Sequence, residues 1–127
     1  MSVQTLILNA QDALELAKKN VSDEKQHEMV GYNLAQACEL FMKAICEMRG
    51  LEYPRDNEGH DLDNLMEILE EGGFSAISSH EDVIGLTVYN STSSGHHVRD
   101  DDRLDLEEMI VNVEELKKLT GKALKEH

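Results

Sequence analysis

Tryptophan is absent from this chain, aromatic residues make up only 4% of its 127 positions, and there is a single proline. A core without large rings must be filled by Leu, Ile, Val, Met and Ala, and a chain nearly free of proline and of long β-branched runs favours helix. Positive charge is scarce as well. Twelve Lys and Arg stand against 26 Asp and Glu, a formal charge of −14. Such a balance opposes nonspecific attraction to nucleic acid and to anionic membranes, so a phosphate-bearing ligand needs a local cluster of cations or backbone amides. No apolar run approaches the roughly 20 residues of a membrane-spanning helix. The start, MSVQTLILNAQDALEL, has no basic stretch and meets Asp12 early, unlike a secretory leader. A cytoplasmic location is therefore expected. Only two cysteines are present, Cys38 and Cys46; on one helix they lie about 12 Å apart by rise per residue, beyond disulfide reach, and read as reduced core thiols. A length of 127 residues is one domain's worth, 1–127, and buries roughly two-thirds of its extended surface.

What is present is helical periodicity. The stretch Ser22 to Gly50 gathers most of its polar side chains from Tyr32 onward into one stripe, Tyr32, Gln36, Glu39, Lys43 and Glu47. Val30, Leu34, Ala37, Cys38, Phe41, Ala44, Ile45 and Met48 cover a broad arc that Leu40, Met42 and Cys46 widen on both sides. An ordinary surface helix needs an apolar face of about 100°, so this one is expected to be covered from several directions as the central helix of a bundle or dimer. Ser22 is a candidate cap and Gly50 a candidate left-handed terminator.

Around it, Val3 to about Lys19 forms a first helix on Val3, Leu6, Ile7, Ala10, Ala13, Leu14 and Ala17, and the short link Asn20–Asp23 predicts an antiparallel return. Leu62, Leu65, Ile68 and Leu69 define a third helix between the cap Asp61 and the stop Gly72. Ser79 and Asp82 make a capping pattern before Val83, Ile84, Leu86 and Val88, read as a short helix ending near Tyr89; LTVY could also be a strand, but has no convincing partner. Asn90 to Arg103 reads as the longest loop. Asp105 with Glu108 opens a final helix on Met109, Val113, Leu116, Thr120 and Ala123, fraying near Gly121. The expectation is an all-α fold, an antiparallel up-and-down bundle of four main helices plus one short helix.

The run YNLAQACELFMKAICEMRG followed by GHDLDNL resembles the HEPN domain family, the small helical domain found beside minimal nucleotidyltransferases and in toxin–antitoxin pairs. Ala37, Glu39, Lys43, Ala44 and Gly50 stand where that family's second helix carries Ala, Glu, Lys-Ala and Gly, and His60, Asp61 and Leu62 match its "T/G-H-D-L" start of the third helix. The helix count and DALELAKKN in the first helix agree, so the resemblance covers almost the whole chain. Physics also accounts for the same residues: Glu39 and Lys43 are an i, i+4 ion pair in the favourable order, worth about 0.3–0.5 kcal/mol.

Many HEPN proteins cleave RNA with an Arg-x4-6-His motif, in which a guanidinium stabilises the crowded phosphate and a histidine moves a proton. Arg55 to His60 has the literal spacing but precedes the third helix, whereas the family's motif lies before or at the start of the last one. There this chain reads YNSTSSGHH. Asn90 and His96 resemble the polar residue and the histidine, Tyr89 replaces the arginine, and Arg99 or Arg103 would have to supply the cation beside Asp100, Asp101 and Asp102. With that departure the resemblance implies a non-catalytic binding module. The resemblance further implies that such a module works as a homodimer with a nucleotidyltransferase-like partner, on a nucleotide or RNA ligand. The alternative is a metal-independent, toxin-like ribonuclease using His96, Asn90 and Tyr89.

A ligand site is expected in a groove of Tyr32, Gln36, Lys43, His60 and the 89–99 loop, with Lys43 and Arg99 on a phosphate. No cofactor or metal is expected, because His96, His97 and Asp100–Asp102 lack the fixed spacing of a metal site. His27, His80 and His127 suggest no constellation. Met29, Leu40 and Met42, toward the edges of the central arc, are the surface expected to remain for a second copy.

Overall fold

The computed structural model describes residues 1–55 and 60–127. Four α-helices, α1 (Val3–Asn20), α2 (His27–Met48), α3 (Leu62–Glu71) and α4 (Leu106–Glu126), pack with a long 3-10 segment, Ser75–Ser94. No strand occurs among the described residues. The fold is all-α, as the hydrophobic periodicity predicts.

The first, third and fourth α-helices begin where a side chain takes up unpaired amides. Ser2 Oγ accepts from Thr5 N–H at 3.1 Å, Asp61 from Asp63 and Asn64 N–H, and Asp105 from Glu108 N–H. At the second helix the expected cap is displaced by one residue. Asp23, not Ser22, accepts from Lys25 N–H and starts a single 3-10 turn, Glu24–Gln26, that leads into α2 at His27. The far end of α2 follows the sequence. Gly50 adopts φ 67°, Leu51 N–H reaches back to Cys46 O at 2.9 Å, and Gly50 N–H bonds Glu47 O, closing the last turn as only a left-handed residue allows. Helix α3 ends with Gly72 as expected, but Gly73 (φ 92°) takes the left-handed position.

Helix α2 is wrapped on every side. From Val30 to Met48 no residue is exposed: the apolar arc is buried, and the polar stripe of Tyr32, Gln36, Lys43 and Glu47 is only half-covered by water. Its neighbours are α1, α3, α4 and the 3-10 segment, all of which contribute to one core cluster that includes Leu14, Leu34, Phe41, Leu65, Ile77, Leu86 and Leu116. Helix α4 lies antiparallel to α1. Lys18 Nζ meets Glu114 at 2.8 Å near one end, and Ala123 packs beside Leu6, Ala44 and Met48 near the other. With Thr120 fully buried, α4 runs through Gly121 to Glu126 rather than fraying there. Cys38 and Cys46 are buried free thiols, and burial pushes the Cys46 pKa up to about 11.

Two expectations change. Met42 is fully buried and Leu40 packs against the Leu6 cluster, so the arc leaves only Met29 exposed, and α2 offers no apolar strip to a second copy. The presumed loop from Asn90 is ordered to Ser94 as 3-10 helix, and its start lies at Ser75, four residues before the supposed Ser79 cap. Ser79 Oγ instead bonds Ala76 O.

The 3-10 form has a local cause. Ile77, Val83, Ile84, Thr87, Val88 and Thr92 are β-branched and disfavour α-helix. Ser79, Thr92, Ser93 and Ser94 each donate their hydroxyl to the carbonyl three residues back. Ile77, Val83, Leu86 and Tyr89 are the buried residues, falling at multiples of three, so a three-residue turn puts them all on one face, with a kink at His80.

Candidate functional site

Glu39, on the polar stripe of α2, is 4% exposed and is the anchor of the site. A carboxylate this deep must be matched. Its Oε2 accepts from Lys43 Nζ at 2.7 Å, one turn along α2, and its Oε1 lies 2.7 Å from His60 Nδ1. Because an ionised carboxylate only accepts, His60 carries its proton on Nδ1 and its Nε2 is left over. The backbone of His60 is fixed too: Asn90 Nδ2, from the 3-10 segment, donates to its carbonyl at 2.7 Å. The central helix holds the imidazole, the 3-10 segment holds the backbone of His60, and the next residue, Asp61, caps α3.

Beside it opens a cleft of about 610 Å³ lined by Tyr32, Gln36, His60, Asp61, Thr87, Asn90, Ser91, Ser93 and Ser94. Gln36 Nε2 donates to Tyr32 Oη at 3.0 Å. Thr87 Oγ1 is buried with no hydrogen-bond partner among the described residues. A smaller depression bounded by Glu28, Met29, Tyr32, Thr92 and Ser93 adjoins it through the shared Tyr32 and Ser93.

Of the expected groove, Tyr32, Gln36 and His60 come together. Lys43 meets Glu39 and lies 5.8 Å from the centre of the Tyr53 ring, so its charge is matched within the fold and it does not line the cleft. Arg99 is exposed, precedes the short 3-10 turn Asp100–Asp102, and is not among the lining residues. The Arg55 to His60 spacing includes residues 56–59, which lie outside the described residues; Arg55 itself pairs with Glu47 at 3.2 Å.

The residues of the nuclease-like trio stand in different surroundings. Tyr89 is fully buried, Asn90 is committed to His60, and His96 stands exposed with Nδ1 3.3 Å from Ser94 Oγ. His97 bonds Glu28 Oε1 at 2.8 Å, and Val98 N–H donates to the other oxygen at 2.6 Å. These bonds hold the Glu28 carboxyl below the usual carboxylate range. Among the described residues no three His, Cys, Asp or Glu side chains are gathered as metal ligands.

Sequence reasoning missed the constellation around His27. Its Nε2 is 2.8 Å from Tyr89 Oη, which also accepts from Leu104 N–H at 3.0 Å. Arg103, paired with Glu24, lines the same small recess. Burial, and then the nearby Arg103 charge, lower the His27 pKa, while burial raises that of Tyr89. Sequence separations of 62 to 79 residues hide these partners. The one available signal was the three-residue spacing that turns Tyr89 inward.

The class these features define is a small all-α domain in which a central-helix Glu–Lys pair aims a histidine at the start of the third helix. The chain belongs to the HEPN domain family, whose sequence model matches residues 3–124. No curated protein and no solved structure matches it. Among the described residues no helix is long and apolar enough to cross a membrane.

Proposed function

We propose that this chain is a non-catalytic HEPN binding module whose working surface is the cleft between α2, the start of α3 and the 3-10 segment, and whose ligand is a nucleotide. The observation that carries the reading is the position of Tyr89. It occupies the place of the motif's arginine, yet its ring fills the core against Gly31 and its hydroxyl is spent on His27 and Leu104. With tyrosine at that position the motif's own guanidinium is missing, and with it the charge that stabilises a phosphorane-like transition state. The acidic excess of the chain works in the same direction.

In this reading the module acts in the cytoplasm, pairs with a second copy and serves a nucleotidyltransferase-like protein, as its family membership suggests. Leu8 and Leu16 on α1 and Val111 on α4, 60%, 46% and 58% exposed, are apolar side chains that such associations would cover. Calorimetric titration with the four ribonucleoside triphosphates tests the ligand assignment. At least one binds the wild type, and Gln36→Ala weakens it tenfold or more; absence of binding by all four contradicts the assignment.

A further inference from the structure

We propose that the cleft reads the uncharged edge of a nitrogen heterocycle, the base end of a nucleotide, and leaves the phosphates in solvent. This rests on the binding-module reading above and adds which end of the ligand is held.

The two usual ways of holding a phosphate are already used up within the fold. Lysine is the first, and Lys43 is neutralised by Glu39, while neither Lys nor Arg is among the lining residues. The open amides of a helix N-terminus are the second. Those of α3 are occupied by its own cap, Asp61, whose carboxylate takes Asp63 N–H and Asn64 N–H and itself lines the cleft. An anion entering here meets a carboxylate and no unmatched cation.

What the cleft does offer is uncharged donors and acceptors whose roles the surrounding bonds assign. Tyr32 Oη accepts from Gln36 and keeps its own proton to donate. Gln36 has given one N–H and retains Oε1 as an acceptor. His60, with Nδ1–H held on Glu39, leaves Nε2 for a ligand, an acceptor in the neutral imidazole. Asn90, with Nδ2 on the His60 carbonyl, retains Oδ1. The serines are different: Ser93 and Ser94 donate to their own backbone and form the rim.

Uncharged acceptors and a phenolic donor, held by bonds to one another and, through His60, to Glu39, match the amide or amidine edge of a heterocycle. Two flat rings, Tyr32 and His60, supply surfaces on which such a ring stacks. An independent feature points to an occupant. Thr87 lines the cleft, and its buried hydroxyl has no partner among the described residues, so a polar atom brought to it would make a hydrogen bond that the fold leaves unmade.

The test compares adenosine, guanosine, cytidine and uridine with their 5′-triphosphates and with inorganic tripolyphosphate, by calorimetry at low and at high salt. For at least one base, nucleoside and triphosphate bind with dissociation constants within threefold of each other, little changed by salt, and tripolyphosphate does not bind. Gln36→Ala and His60→Ala weaken both forms tenfold or more, and Arg99→Ala weakens neither. Circular dichroism confirms that the variants are folded, and for a variant that is not, competition on the wild type by nucleoside against triphosphate gives the same discrimination. A triphosphate that binds tenfold or more above its nucleoside, with steep salt dependence or displacement by tripolyphosphate, overturns the base-end assignment while leaving the binding module intact. Absence of binding by every nucleoside and triphosphate overturns both.

Discussion

Tyr89 and His27, 62 positions apart in the chain, share a hydrogen bond of 2.8 Å in the interior. Tyr89 Oη already accepts from Leu104 N–H, and a fully buried phenol needs an acceptor for its own proton. His27 Nε2 is that acceptor, so His27 is neutral with its proton on Nδ1. The bond ties the start of α2 to the end of the 3-10 segment and to the residue before the α4 cap. Glu28 adds His97 and Val98, and Glu24, in the 3-10 turn before α2, adds Arg103, so residues 24–28 fasten the 89–104 stretch at several points.

That arrangement makes the stretch sensitive to acid. His27 has a pKa below its ordinary 6.5, so the unfolded chain takes up the proton first; the stability tied to neutral His27 is complete above 6.5 and is lost as pH falls from there through the lowered value. Glu28, lowered from 4.5, keeps its contribution to more acidic pH and loses it as pH falls from 4.5 through its folded value. Arg103 opposes protonation of His27, whereas Glu24 and Glu28 favour it. Amide hydrogen exchange in residues 95–104 is expected to accelerate, after correction for intrinsic rates, between pH 7 and 5. His27→Gln, which still accepts from Tyr89, removes that part of the pH dependence. An unchanged pH profile in His27→Gln contradicts the assignment.

Gly31 is the second point of strain control. In mid-helix, glycine to alanine ordinarily stabilises by about 1 kcal/mol. Here a Cβ would stand 2.3–2.6 Å from three carbons of the Tyr89 ring, which is packed and cannot withdraw. Gly31→Ala is expected to destabilise by about 2–3 kcal/mol in urea unfolding, reversing the usual sign. A neutral or stabilising outcome shows that the ring is free to move.

The Glu39 cluster gives a third prediction. Removing one member of a covered ion pair leaves the other without its counter-charge, and Lys43 has a side chain only 13% exposed. Glu39→Ala is expected to cost about 2–4 kcal/mol and to release His60 from its Nδ1–H form, visible in the imidazole nitrogen shifts. The double replacement Glu39→Met with Lys43→Met recovers most of the stability but not the histidine tautomer. Full recovery of both shows that Glu39 has no positioning role.

The helices were legible because their signals are local. Caps at Asp61 and Asp105, the left-handed Gly50 and the apolar spacing of α2 all operate within a few residues, and the structure follows them. The 3-10 form and full length of Ser75–Ser94 were not legible, because the capping pattern at Ser79 and Asp82 signals only a helix start, whereas the buried residues fall at multiples of three. The sequence reading put Tyr32, Gln36 and His60 in one groove, and all three line the cleft. It did not disclose that Lys43 is matched by Glu39 and that Arg99 stands outside, because local spacing says nothing about which partner wins a charge. The surplus apolar arc was misjudged likewise: Met42 is covered by the chain's own helices.

The central claim, binding without RNA cleavage, is tested most directly by incubating the purified protein with end-labelled single-stranded RNA in the presence of a chelator and resolving the products over time. The expected result is intact RNA, with wild type and His96→Ala indistinguishable. Cleavage by the wild type that His96→Ala abolishes contradicts the account.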